Sequence, residues 1–173
     1  MLRKLLLIIL FLAFAGSAFA LPTEQAVVEE LVRMYGLDTA QYVVTVEASR
    51  LKTAEVAPGE ITLRPITQKE PIGLFTVAAE IRRDGGRVES AQVNLRIQRF
   101  AEVLVAVDKV DARQPFTPEQ FERRRTEITA MYEKPVASIN EIAGYRATRI
   151  IRPGTVLTTA CVELPPDVEA GRT

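Results

Sequence analysis

A strand–turn–strand phrase occurs twice in this chain, and it constrains the fold more than any other feature. Residues 145–166 read "YRATRIIRPGTVLTTACVELPP", and residues 107–122 read "VDKVDARQPFTPEQFE". Apolar and turn positions coincide at an offset of 41 residues; the coinciding pairs include Val110 and Ile151, Phe116 and Leu157, Thr117 and Thr158, and Phe121 and Val162. Two copies are too few for a solenoid. The phrase therefore predicts a compact β unit of two packed, bent hairpins, with chance similarity as the alternative.

The first twenty residues have the pattern of a secretory signal peptide. Arg3 and Lys4 precede the apolar run "LLLIILFLAFA", and Ala18-Phe19-Ala20 fits the small-x-small cleavage pattern. The run is short for a membrane span of about 20 residues. We therefore expect cleavage after Ala20 rather than an uncleaved anchor, and a mature chain that starts at Leu21 and contacts no membrane.

Charge and composition exclude several classes of function. Without Arg3 and Lys4, 20 basic residues face 22 acidic ones, a net charge of −2. A nucleic-acid partner would require a basic face, so none is expected. The sequence also has no histidine, no CxxC pair, no glycine-rich phosphate loop after a strand and no GxSxG motif. We predict no enzyme activity, no metal and no cofactor.

The remaining candidates for chemistry are one cysteine and scattered acids. Cys161 is the single cysteine, so no internal disulfide forms, although a disulfide between two chains remains an alternative. It lies in an apolar pattern, where a lone cysteine is usually a small buried hydrophobe. Asp108, Asp111, Glu163 and Asp167 are single carboxylates, and we interpret them as solvated rather than as a catalytic pair.

Residues 21–100 predict a helix packed on an antiparallel sheet. Apolar residues recur at helical spacing from Val27 to Tyr35, with Thr23 as the predicted cap and Gly36 as the end. The runs "QYVVTVEASR" and "PGEITLRPI" predict strands. Asp84-Gly85-Gly86 separates two longer runs, and a glycine pair there predicts a hairpin because tight turns between strands need positive φ.

A second part begins near Ala101 with the predicted strand "EVLVAVDKV". Thr117, Pro118 and Gln120 form a capping box at the start of a short helix, and Ser138 with Glu141 forms another that ends at Gly144. The run Arg123-Arg124-Arg125 follows the first of these helices. We interpret its arginines as solvent-facing helix residues with local ion pairs, a polyanion site being the alternative.

The segments "GYRATRIIRPGTVLT" and "VELPPDVEAG", together with the capped short helix, resemble a SAF domain. With a signal peptide and a helix-plus-sheet domain in front, the order of parts resembles the flagellar basal-body P-ring formation protein, the FlgA family. The resemblance implies an α+β, mostly β fold with an N-terminal helix on an antiparallel sheet, followed by a β-clip. It divides the chain into a signal peptide (1–20), a helix-plus-sheet domain (21–100), a SAF domain (101–166) and the start of a truncated C-terminal segment (167–173).

Two features depart from the family pattern. Arg113 stands in the first phrase where the second has Gly154, so that turn lacks glycine's tolerance of positive φ. Members of the family also continue past "VEAG" into a further β-rich segment, whereas this sequence stops at Thr173. We expect either a truncation or a lost segment.

What the resemblance implies is a periplasmic chaperone that binds the flagellar P-ring subunit and assists its assembly around the rod, without a small-molecule substrate. One alternative is a SAF-domain factor for assembly of a pilus or secretion channel, which an N-terminal membrane anchor would favour. Another is a periplasmic carbohydrate-binding module. Sugar sites depend on stacking aromatic rings, and this chain has no tryptophan, four tyrosines and seven phenylalanines.

Arg149 and Arg152 are the candidate partner-binding residues. A sheet edge near Arg149–Leu157 could accept an extended segment of the partner as an added strand. The favoured alternative is that Arg146, Arg149 and Arg152 line the solvated side of a strand, although their three-residue spacing prevents all three from sharing one face. Five further glycines and prolines are expected to shape turns and the rigid end of the last strand rather than to bind a partner. They are Gly144, Pro153, Gly154, Pro165 and Pro166.

Overall fold

The computed structural model describes residues 21–57, 59–66, 70–83 and 85–166. The predicted signal peptide (1–20), Asp84 of the predicted hairpin turn, Asp167 and the C-terminal segment (167–173) lie outside the described residues.

The one α-helix of the described residues, α1 (Thr23–Tyr35), covers one face of the first sheet. It buries Ala26, Val27 and Leu31. Gly36 ends it as predicted, in the left-handed conformation at φ 60°, where a residue with a Cβ would be strained. The predicted cap is wrong: Pro22 occupies the capping position, and the Thr23 hydroxyl donates to the carbonyl of Thr53 at 2.6 Å. Thr23 thus ties the helix to the following loop.

The sheet under this helix is antiparallel, in the order β2–β6–β5–β4. Its strands are β2 (Tyr42–Ser49), β4 (Ile61–Pro65), β5 (Gly73–Arg82) and β6 (Val88–Ala106), while β1 (Leu21–Pro22) and β3 (Glu55–Val56) form a separate small pair. The predicted hairpin is confirmed, since β5 and β6 pair from Arg82 opposite Val88 onward, and Gly85 and Gly86 both have positive φ. The predicted α+β class, mostly β, is confirmed.

Alternation in the middle of two strands builds the core of this first half. From Phe75 to Ile81 in β5 and from Val93 to Ile97 in β6, every second residue is buried in the core that α1 also lines, and the intervening residues are exposed or half-buried. The buried strand residues are Phe75, Val77, Ala79, Ile81, Val93, Leu95 and Ile97.

β6 does not stop at residue 100. The sequence predicted a new strand beginning near Ala101, but β6 is one strand of 19 residues that continues to Ala106. Its second half pairs with β7 (Phe121–Glu127), from Phe100 opposite Glu127 to Ala106 opposite Phe121. One strand therefore belongs to the sheets of both halves.

The rest of the second half consists of short pieces. β8 (Arg146–Ala147) pairs with β9 (Val162–Glu163), and three one-turn 3₁₀ helices span Pro118–Gln120, Ile139–Ile142 and Thr159–Cys161. The strand–turn–strand arms predicted for the two phrases are largely not regular strands, because isolated bridges such as Val110 to Ile151 replace them. These pieces enclose a second core that includes Leu104, Val110, Ile142, Ile151 and Leu157.

Candidate functional site

The repeated phrase forms a unit in which equivalent residues bond to each other across an approximate two-fold axis. Val110 and Ile151, equivalent at the 41-residue offset, exchange two backbone hydrogen bonds of 2.9 Å each. Further from the axis, the bonds occur in equivalent pairs. Arg113 N–H to Ala147 O corresponds to Gly154 N–H to Ala106 O, both 2.7 Å, and Ala147 N–H to Gln114 O corresponds to Ala106 N–H to Thr155 O, both 3.0 Å. The predicted internal repeat is confirmed by these bonds.

The two tight turns of this unit have the same backbone geometry but different residues. Arg113 has φ 65°, and its equivalent Gly154 has φ 81°. Among the described residues, Arg113 is the one non-glycine residue with positive φ. The departure noted in the sequence therefore costs local strain, and it does not change the turn.

Each copy also contains a one-turn 3₁₀ helix at the same place. Thr117 precedes the first and Thr158 the second, and each carbonyl accepts from the residue three positions on. Both predicted capping boxes are present: Gln120 accepts from Thr117 N–H at 3.0 Å, and Glu141 accepts from Ser138 N–H at 3.0 Å.

Arg149, the first candidate partner-binding residue, lies over Cys161. Its Nη2 is 3.5 Å from the Cys161 sulfur, and the Thr158 hydroxyl lies 3.6 Å from the same sulfur on the inner side. Burial raises the pKa of the Cys161 thiol, but the neighbouring Thr158 hydroxyl and Arg149 guanidinium outweigh burial, so the net shift is downward. Cys161 is buried, as the sequence predicted.

Arg152 lies apart from this cluster, exposed just before the turn at Pro153. Arg146 is different again, since its Nε forms an ion pair of 2.7 Å with Glu163. The structure thus separates the three arginines. Only Arg146 lies in a strand, so the interpretation that all three line the solvated side of one strand is wrong. The predicted binding edge at Arg149–Leu157 is also occupied, because the backbone N–H groups of Ile151, Gly154 and Leu157 all donate to carbonyls within the second half.

The residues predicted to shape turns lie at turns or at the exit. Gly144 has φ 83° and follows the 3₁₀ helix that Ser138 caps. Pro153 leads into Gly154, while Pro165 and Pro166 follow β9 and are exposed.

The sequence analysis predicted that the arginine run is helical, and this prediction is wrong. Arg123, Arg124 and Arg125 lie in the middle of β7, and all three are exposed. Arg124 pairs with Glu122, and Arg125 lies over the ring of Phe100, 4.7 Å from its centre, with Nη2 donating to the carbonyl of Ala40 at 2.8 Å. Extended structure prevails over helix propensity here because the backbone of β7 bonds to β6 along its whole length.

A groove at the junction of the two halves was missed by the sequence analysis. It encloses about 640 Å³, and its apolar lining includes Ile72, Val103, Ile128 and Met131. Tyr132 at its rim is fully exposed. No local pattern marked this site, because residues from distant parts of the chain form it.

Within the described residues, no group of three or more metal-ligating side chains lies together. In the same part of the chain, no helix is both long enough and apolar enough to cross a membrane.

The arrangement of a helix-covered sheet joined to the doubled β unit occurs in known structures. No family model and no curated protein matches the sequence. The flagellar protein FlgA from Thermotoga maritima MSB8 is similar in structure, with a TM-score of 0.53 and 19% identity, over 83% of this chain and 52% of that one. This chain has a FlgA-like fold.

Salmonella FlgA in its open form is similar too, with a TM-score of 0.51 and 14% identity over 83% of this chain and 65% of that chain. The chain therefore spans between about half and two thirds of the length of these FlgA proteins. At this identity the likeness concerns the fold, and it extends over both halves of the described structure.

Proposed function

We propose that the protein is a periplasmic chaperone that binds the flagellar P-ring subunit and assists P-ring assembly, and that it is not an enzyme. The observation that carries the proposal is the FlgA-like fold over 83% of the chain. That likeness includes the helix-covered sheet as well as the β unit, so it extends beyond the SAF-like motif of the sequence. The predicted signal peptide supports the periplasm as the location of the protein.

The site chemistry supports binding rather than catalysis. The charged side chains of the second half are mostly exposed, and those with partners form ion pairs such as Arg146–Glu163 and Lys109–Asp111. The thiol of Cys161 is buried beneath Arg149. Arg149 and Arg152 remain the proposed partner-binding side chains, since both are exposed on the doubled unit.

The test is co-purification from the periplasm with tagged residues 21–173 as bait. We expect the P-ring subunit among the retained proteins, and an unrelated exported protein with the same tag serves as control. Retention of a pilus or secretin component instead would assign the chain to a different assembly system. Recovery of neither would contradict the chaperone function.

The role of the two arginines is tested by the double charge reversal Arg149→Glu and Arg152→Glu. The matched control is Arg87→Glu, an exposed arginine on the β5–β6 hairpin. Retention of the P-ring subunit should fall for the double variant and not for the control. Equal retention would remove both arginines from the binding surface.

A further inference from the structure

The outer edge of β7 is unpaired among the described residues, and the register shows which backbone groups face outward. Leu104 of β6 donates to Val136 O and accepts from Leu157 N–H, both at 2.8 Å, so its backbone faces away from β7. Arg123, directly opposite Leu104, therefore also has its N–H and C=O directed away from β6. Because the direction alternates along a strand, Arg125 has the same outward orientation.

The other long edges of the sheet carry features that discourage pairing. β2 has a register shift between Val46 and Ala48, and β4 is five residues long and ends at Pro65. Bulges, prolines and short length are the usual protection of edge strands. β7 is seven residues long, has no proline or glycine, and keeps an uninterrupted register with β6.

The side chains of β7 leave this edge accessible and positively charged. Arg125 reaches across Phe100 to Ala40, which lies at the start of β2 on the opposite side of β6. Its guanidinium is thereby held away from the outer edge. Arg123 has no ion-pair partner among the described residues and is exposed. An incoming strand would therefore meet two free backbone positions beside an uncompensated positive charge.

We propose that the β7 edge binds an extended segment of the client protein with acidic side chains, which adds to the sheet as a further strand. The inference rests on the proposed chaperone function and names the surface and the chemistry that the client would present. Backbone hydrogen bonds to Arg123 and Arg125 hold the segment, and a carboxylate of the segment faces the unpaired guanidinium of Arg123.

The same charges disfavour self-association through this edge. In the antiparallel register centred on Arg124, the three arginines of one chain would face the three of another. Like charges directly opposite each other on neighbouring strands are destabilising. The edge therefore selects an acidic partner over a second copy of the chain.

The decisive variant is Arg123→Pro. Proline removes the outward N–H, and it leaves the ladder to β6 intact because Arg123 does not donate to β6. The matched control, Arg123→Ala, removes the charge and keeps the N–H. We expect Arg123→Pro to bind the purified P-ring subunit about tenfold more weakly than Arg123→Ala, since the main-chain bond that the N–H of residue 123 donates to the client segment is lost.

Amide hydrogen exchange of the wild-type chain gives a second measurement that does not depend on a variant folding. Arg123 and Arg125 amides should exchange slowly only when the P-ring subunit is bound. Arg123→Glu should weaken binding more than Arg123→Ala, and Arg87→Glu should not weaken it.

The outcomes separate the two proposals. If the wild type fails to bind the P-ring subunit, the proposed function fails and this inference with it. If the wild type binds but the two amides stay unprotected, or Arg123→Pro binds as well as Arg123→Ala, the edge is not used and the chaperone function still stands. Unchanged binding of Arg123→Glu with protected amides would overturn the acidic character of the client segment.

Discussion

The helix-covered sheet and the doubled β unit that follows it bury their cores by different means. In the first, alternating apolar residues on long strands face α1. In the second, β8 and β9 are only two residues long, and the buried side chains Ile151 and Leu157 are held by isolated bridges, tight turns and one-turn helices. Regular strand pairing therefore holds the first core together, whereas paired turns and short bridges hold the second.

The largest expected effect tests whether these two cores unfold together. Leu95→Ala removes a fully buried side chain from the first core, and Leu157→Ala does so in the second. Each should lower the free energy of unfolding by about 3 kcal/mol because a cavity remains.

Since β6 belongs to both sheets, we expect one unfolding transition in urea, followed by circular dichroism, in the wild type and in both variants. Two transitions, of which Leu95→Ala shifts one and Leu157→Ala the other, would show that the halves are independent.

A smaller effect compares the two turns of the doubled unit. Gly154→Ala should destabilise by about 1 kcal/mol, because alanine is strained at φ 81° although nothing lies within 4 Å of the added Cβ. Arg113→Gly should stay within about 0.5 kcal/mol of the wild type, because relief of strain offsets the greater freedom of glycine in the unfolded chain. Equal losses from both substitutions, measured by urea unfolding, would contradict the equivalence of the turns.

The smallest expected effect concerns pH and the first half. Hydrogen bonds from the backbone of Lys52 and the hydroxyl of Thr53, both 2.5 Å, lower the pKa of Glu89 below its ordinary value of 4.5. A lowered folded-state pKa stabilises the fold above the unfolded value, and this contribution is lost as pH falls through the folded value.

Glu89→Gln should therefore make stability depend less steeply on pH in the acidic range. The loss of unfolding free energy caused by Gly154→Ala should be the same with and without this substitution. A profile as steep as that of the wild type, measured by thermal unfolding across the acidic range, would show that Glu89 is not responsible.

Local patterns in the sequence predicted much of this structure. Gly36 ends α1, Gly85 and Gly86 turn the β5–β6 hairpin, and two capping boxes start one-turn helices, because each depends on residues within one or two turns of each other. The 41-residue offset also predicted which residues of the doubled unit are equivalent, and Val110 and Ile151 bond to each other.

The sequence by itself determined α1, the first sheet's alternation and the internal repeat, since spacing and turn chemistry are written in neighbouring residues. Only the tertiary structure decided that β6 runs past residue 100, that the arginine run is a strand and that Arg149 covers Cys161. The physical reason is that each of these depends on a partner distant in the chain. Three consecutive arginines by themselves favour a helix over a strand. They lie in a strand here because the backbone of β6 forms hydrogen bonds with β7.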